Sequence, residues 1–211
     1  MPYTHIIWDF DGTLYDTYPS MASAFAAVLG ERGISEPVDD IYKAMKISVG
    51  HALDMYRARY ENLDDAFLAR YKDIRMADEQ HAAHPFPGIP ELLRRIVANG
   101  GHNYILTHRG PTTHTMLERD GLDDVFDGVI TTEQNFPRKP DPAGLVYLIQ
   151  THDMPMNKAI MVGDRDLDIL TGKHAGIATC FFDPGGVPSP IADQSALTMP
   201  ELAAVLGYTT K

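Results

Sequence analysis

Hydrophobic and polar positions follow two regimes along this chain, and the boundary lies near residue 84. The first apolar run, His5-Ile6-Ile7-Trp8, is short and unbroken, which predicts a buried strand over about residues 5–9. From there to residue 84 the apolar residues recur at helical spacing. Ala22, Phe25, Ala26 and Leu29 form one stripe, with Pro19 suited to a first helical position and Gly33 to a stop. Ile41, Met45, Leu53, Tyr56, Phe67, Leu68, Tyr71 and Ile74 carry the stripe through 37–83, and no strand is expected between about 17 and 84. After His84-Pro85-Phe86-Pro87-Gly88 the pattern changes to short apolar runs alternating with helical ones. It places helices at 92–97, 111–119, 142–151, 166–174 and 200–206, and strands at 102–107, 128–131, 159–162 and 177–182, the last being the final strand.

Strands alternating with helices predict an α/β fold with a doubly wound parallel sheet. The helical block reads as an insertion, giving a core of residues 1–15 and 85–211 and a helical cap over 16–84. A length of 211 residues suits one core with one sizeable insertion, and 44% hydrophobic residues suffice for a real core. In such sheets ligands bind at the carboxyl ends of the strands. The residues just past each strand are therefore the informative ones. They are Asp9 and Asp11, then Thr107-His108-Arg109, then Arg138-Lys139-Pro140 ahead of a helix, then Gly163-Asp164-Arg165-Asp166-Leu167-Asp168.

Clustered carboxylates repel one another and persist with a cation between them or with raised pKa values. Oxygen ligands on two loops, with no Cys or His among them, suit a hard ion such as Mg²⁺, which shares its shell readily with phosphate. Thr107 offers a hydroxyl donor and Lys139 a mobile positive charge for a phosphoryl group. The chemistry that follows is attack by a carboxylate on phosphorus. A second carboxylate two residues on points the same way if the residue between packs inward, and can exchange protons with the leaving oxygen and the attacking water.

Charge and composition narrow the partners. A formal net charge of −11 argues against nucleic acid or an anionic membrane surface, though not against a small phosphorylated metabolite in a locally positive pocket. The single cysteine, Cys180, excludes an intramolecular disulfide, suits a reducing cytoplasm and reads as strand filler. The apolar start halts at Asp9 without a basic lead, so no secretory leader is expected, and no apolar run approaches membrane-spanning length. A monomer or homodimer is expected.

Asp9-Phe10-Asp11-Gly12-Thr13, Thr107, Lys139-Pro140 and Gly163-Asp164-Arg165-Asp166-Leu167-Asp168 resemble, in order and spacing, the four motifs of the haloacid dehalogenase-like hydrolase superfamily. The insertion looks like the cap of its phosphoglycolate phosphatase-like and β-phosphoglucomutase-like branch. The resemblance implies Asp9 as nucleophile and metal ligand. It implies Asp11 as general acid/base, with its main-chain carbonyl on the metal. Thr107 and Lys139, with His108 beside them, would hold the phosphoryl group. Asp164 would bind Mg²⁺ directly and Asp168 directly or through water, with Asp166 outside the usual pattern and Thr13 supporting the loop. His108 stands where asparagine is common, and Arg165 where serine is common.

These readings converge on a Mg²⁺-dependent phosphatase for a small phosphate monoester. A phosphosugar mutase of the β-phosphoglucomutase type stays open. A non-enzymatic phospho-aspartate receiver also uses clustered acids, Thr and Lys, but the long insertion and a nucleophile on the first strand disfavour it. Substrate choice is expected in the cap, at Lys46 and His51, which flank the predicted turn Ser48-Val49-Gly50.

Overall fold

A computed structural model describes residues 2–61 and 63–209, apart from the side chains of 79–81. The chain divides into two compact units, Met1–Tyr15 with Pro85–Lys211, and Asp16–His84.

The first unit is built on six parallel strands: β1 (His5–Trp8), β2 (His102–Leu106), β3 (Gly128–Ile130), β4 (Ala159–Gly163), β5 (Ala178–Phe182) and β6 (Gln194–Ala196). Their order is β3-β2-β1-β4-β5-β6. The chain leaves β1 towards β2 on one side and later returns to β4 on the other, so β1 and β4 flank the switch point where α/β sheets bind ligands. The sheet is buried on both faces, which is why its strands read as unbroken apolar runs: Ile6, Ile7, Trp8 and all of β4 are sealed from solvent. One polar side chain lies in this core without penalty. The Asn103 amide accepts from Trp8 Nε1 at 3.1 Å and donates to the carbonyls of Leu93 and Val125, each at 3.2 Å.

Helices α5 (Ile89–Ala98), α6 (Thr112–Arg119), α7 (Ala143–Thr151), α8 (Asp166–Ala175) and α9 (Met199–Leu206) belong to this unit. Several ends differ from the sequence expectation. α5 begins three residues earlier than predicted, because Gly88 takes φ 91° and Pro90 fits the first turn. Pro111 and Pro142 cap α6 and α7 rather than opening them. The strand 177–182 is not the final one. β6 follows it, three residues starting on two polar side chains, too short to show a period.

The second unit holds α1 (Tyr18–Glu31), α2 (Val38–Ile47), α3 (Val49–Arg59) and α4 (Asp65–Ala82). Phe25 centres its core, with ring centroids 5.0 Å from Phe67 and 5.4 Å from both Tyr56 and Tyr71. α2 and α3 are separated at Ser48, whose extended backbone breaks the helix and whose hydroxyl caps α3 by accepting from the His51 N–H at 2.9 Å.

The ends of each unit are tied. In the helical unit the Asp16 N–H donates to the His84 carbonyl at 3.1 Å. In the sheet unit the Phe86 N–H donates to the Leu14 carbonyl at 2.9 Å, and Tyr15 and Pro85 form an antiparallel bridge. Among the described residues, no helix is long and apolar enough to cross a membrane.

Candidate active site

Asp9 follows β1 directly. Its N–H donates to the Val162 carbonyl of β4 at 2.9 Å, so sheet pairing fixes the first acid at the switch point. Phe10 turns into the core, sealed from solvent and stacked on Tyr15 at 4.4 Å between centroids. That inward anchor sets the loop carrying Asp11. β4 ends at Gly163, and Asp164 follows it. A Cβ at Gly163 would come 2.3 Å from Asp168 Cβ, so only glycine lets the first turn of α8 bring its acid against the strand end.

One ligand oxygen each of Asp9, Asp164 and Asp168 lies within 4.8 Å of the others, and all three residues are buried. Lys139 reaches this group from the loop after β3. Its Nζ donates to Asp9 Oδ1 at 2.6 Å, to Asp168 Oδ1 at 2.5 Å and to the Leu106 carbonyl at 3.1 Å. Arg165 Nη2 meets Asp9 Oδ2 at 3.3 Å, and its Nε lies 3.9 Å from both Asp164 Oδ1 and Asp168 Oδ2. The Thr13 hydroxyl donates to Asp164 Oδ1 at 3.4 Å. Asp166 is exposed and accepts from Ser189 Oγ, apart from the cluster.

These neighbours set the charge states. Burial pushes the Asp9 carboxyl up, but Lys139 and Arg165 more than offset it and hold Asp9 below the usual range. Burial and repulsion from Asp9 raise Asp168 despite Lys139. Burial opposes the Lys139 charge, yet Asp168 and Asp9 outweigh it and hold the ammonium above its usual value. An all-oxygen donor set of three close, buried carboxylates fits a hard divalent cation such as Mg²⁺.

The family description "haloacid dehalogenase-like hydrolase" matches residues 6–182. The chain belongs to this family. It is 31% identical to a phosphoglycolate phosphatase from Rhodospirillum rubrum, over 96% of this chain and 88% of that protein. A phosphoglycolate phosphatase from Vibrio vulnificus is 27% identical over 82% of this chain and 81% of its own. The crystal structure of a hydrolase from Streptococcus pneumoniae aligns with a TM-score of 0.70 at 29% identity, covering 98% of this chain and all of that one.

In this haloacid dehalogenase-like hydrolase the residues after β2 have partners that the sequence pattern does not show. Thr107 is buried, and its Oγ1 accepts from the Arg109 N–H at 3.1 Å, leaving its own O–H to donate. His108 Nε2 accepts the Lys139 backbone N–H at 2.7 Å, which places the ring proton on Nδ1, the nitrogen left to donate to an oxyanion. Burial, with Lys139 and Arg138 nearby, pushes this imidazole down to about 4. Arg109 lies outside the four sequence motifs. Its guanidinium bonds Asp11 at 2.6 Å, a pairing across 98 residues that no local spacing could reveal. Lys46 and His51 lie in the helical unit. Lys46 Nζ sits 5.0 Å over the Tyr18 ring, and the exposed His51 occupies the first turn of α3.

The His108 pairing has a pH signature. A histidine depressed when folded takes up its proton first in the unfolded chain, so its contribution to stability is present above pH 6.5 and is lost as pH falls towards about 4. Over that window the wild type should lose stability more steeply than His108→Gln, which keeps an acceptor but does not titrate. Urea midpoints at pH 7 and 4.5 measure this, and parallel losses would refute it.

Proposed function

We propose that this hydrolase is a Mg²⁺-dependent phosphatase of small phosphate monoesters, working through an aspartyl-phosphate on Asp9. The convergence of Asp9, Asp164 and Asp168 within 4.8 Å, with Lys139 bridging two of them, carries the reading. The phosphatase names of its relatives support the substrate class. When bound by Asp9, Asp164, Asp168 and the Asp11 carbonyl, Mg²⁺ supplies counter-charge to the acids and to the phosphoryl oxygens.

The chain's own groups do the rest. An Asp9 oxygen attacks phosphorus, the P–O bond to the leaving group breaks, and Asp11 gives its proton to the departing oxygen. Asp11 then takes a proton from water as that water attacks the acyl phosphate, releasing phosphate and freeing Asp9. Thr107 O–H, His108 Nδ1–H and Lys139 Nζ donate to the phosphoryl oxygens. Lys139 must then exchange an acid for an oxyanion, and both partners suit its positive charge.

Substrate choice belongs to the helical unit, with Lys46 and His51 as its reading residues. A panel of esters tests both assignments: 2-phosphoglycolate, several sugar phosphates and an aryl phosphate, each with Mg²⁺ and with excess chelator. Phosphate release should vanish in chelator, and full activity there would sink the metal assignment. A mutase would interconvert sugar phosphates with little release. Lys46→Ala should reorder kcat/KM among the anionic esters and spare the aryl phosphate. Equal losses on all esters would move Lys46 to a folding role.

A further inference from the structure

We propose that Arg109 is a positioning residue that holds the Asp11 carboxylate for proton transfer and ties its place to that of Thr107. The proposal rests on the reading of Asp11 as general acid/base.

Asp11 sits on a loop beyond the strand, with 20% of its side chain exposed. A carboxylate in that setting has several rotamers open to it, whereas proton transfer needs hydrogen-bond reach and a narrow range of angles. Arg109 supplies the constraint. Its side chain is 0% exposed, and Nη1 donates to Asp11 Oδ1 at 2.6 Å. The guanidinium carbon lies 5.4 Å from the centroid of the Phe10 ring, so the residue between the two lead acids also braces the arginine.

The Arg109 backbone is held as firmly. Its N–H donates to Thr107 Oγ1 at 3.1 Å, and its carbonyl accepts from Thr132 N–H at 3.0 Å. One short segment therefore fixes a phosphoryl-binding hydroxyl and the partner of the proton-transfer acid together. A buried guanidinium is costly unless its donors find acceptors, so its contact with Asp11 Oδ1 is fixed rather than incidental in either protonation state of the acid. One Asp11 oxygen is engaged by Arg109, which orients the carboxylate while the second oxygen carries the exchangeable proton. Lysine keeps the charge but not the planar donors or the ring contact.

The test is leaving-group dependence. Departure of an alkoxide needs the acid, while departure of an activated phenolate hardly does. Since kcat/KM reports only steps through leaving-group departure, it isolates the acid role from the later base role. Arg109→Met should lower kcat/KM about 10- to 100-fold for alkyl phosphates and less than about threefold for an activated aryl phosphate, a fraction of the ~10²–10⁴-fold range of general acid–base catalysis. Arg109→Lys should fall between and serves alone if the Met variant does not fold. In an Asp11→Asn background, Arg109→Met should add no further loss on the alkyl ester. Equal losses across the ester series, or additive losses in the double variant, would overturn the proposal. A flat series for Asp11→Asn itself would instead overturn the acid/base reading.

Discussion

Asp9→Asn is expected to abolish turnover outright, because it removes the atom that bonds to phosphorus rather than a group that assists it. The variant also loses an ionised partner of Lys139 and Arg165, so folding and activity must be measured together. Asp11→Asn keeps the nucleophile and should cost ~10²–10⁴-fold. With an activated aryl phosphate it should accumulate a phosphorylated protein, since the base step becomes slow while the first transfer still proceeds. Acid-quenched mass spectrometry detects that adduct, and its position on Asp9 is part of the expectation. Near-normal turnover by Asp9→Asn beside a dead Asp11→Asn would reverse the two roles.

Lys139→Met should have the largest effect on stability. The ammonium is 1% exposed and bonded at 2.6 Å and 2.5 Å to two carboxylates that are themselves buried. Removing one partner from a buried ion pair costs about 3–5 kcal/mol, because the other charge is left without compensation. The variant in chelator should lose stability of that order at neutral pH, measured by denaturant unfolding. Mg²⁺ should restore more stability to it than it adds to the wild type, since a dication between the acids substitutes for the missing charge. A variant within about 1 kcal/mol of wild type in chelator would show that the acids relax without their lysine, contrary to the surface-versus-buried distinction on which the figure rests.

The sheet was legible because its strands are buried on both faces. Ile6-Ile7-Trp8 and Ala159–Gly163 present unbroken apolar runs, and helices between them carry stop signals such as Gly176, which takes φ 78° after α8. What stayed illegible had no local signature. β6 is a three-residue edge strand, and its pairing with β5 is a tertiary fact. The start of α5 was misplaced because Gly88 acts there as a cap, not as loop punctuation. The candidate acids were legible as a set because each stands just past a strand, where topology brings distant residues together. The partners that orient them were not. Arg109 meets Asp11, and His108 accepts the Lys139 N–H, through side-chain reach that depends on the packed loops. The sequence pattern placed both residues at a strand end and could go no further.

The tied ends of the two units bear on how such a protein can change over generations. Asp16 and His84 are joined by a hydrogen bond at the mouth of the insertion, and Tyr15 and Pro85 are bridged just inside the sheet unit. An inserted segment whose ends already meet adds little strain to its host. Loop-closure cost rises by only about 0.6 kcal/mol for each doubling of inserted length. Changes in the length of residues 16–84 should therefore cost the sheet unit little, leaving the strand pairing and the acids it positions undisturbed.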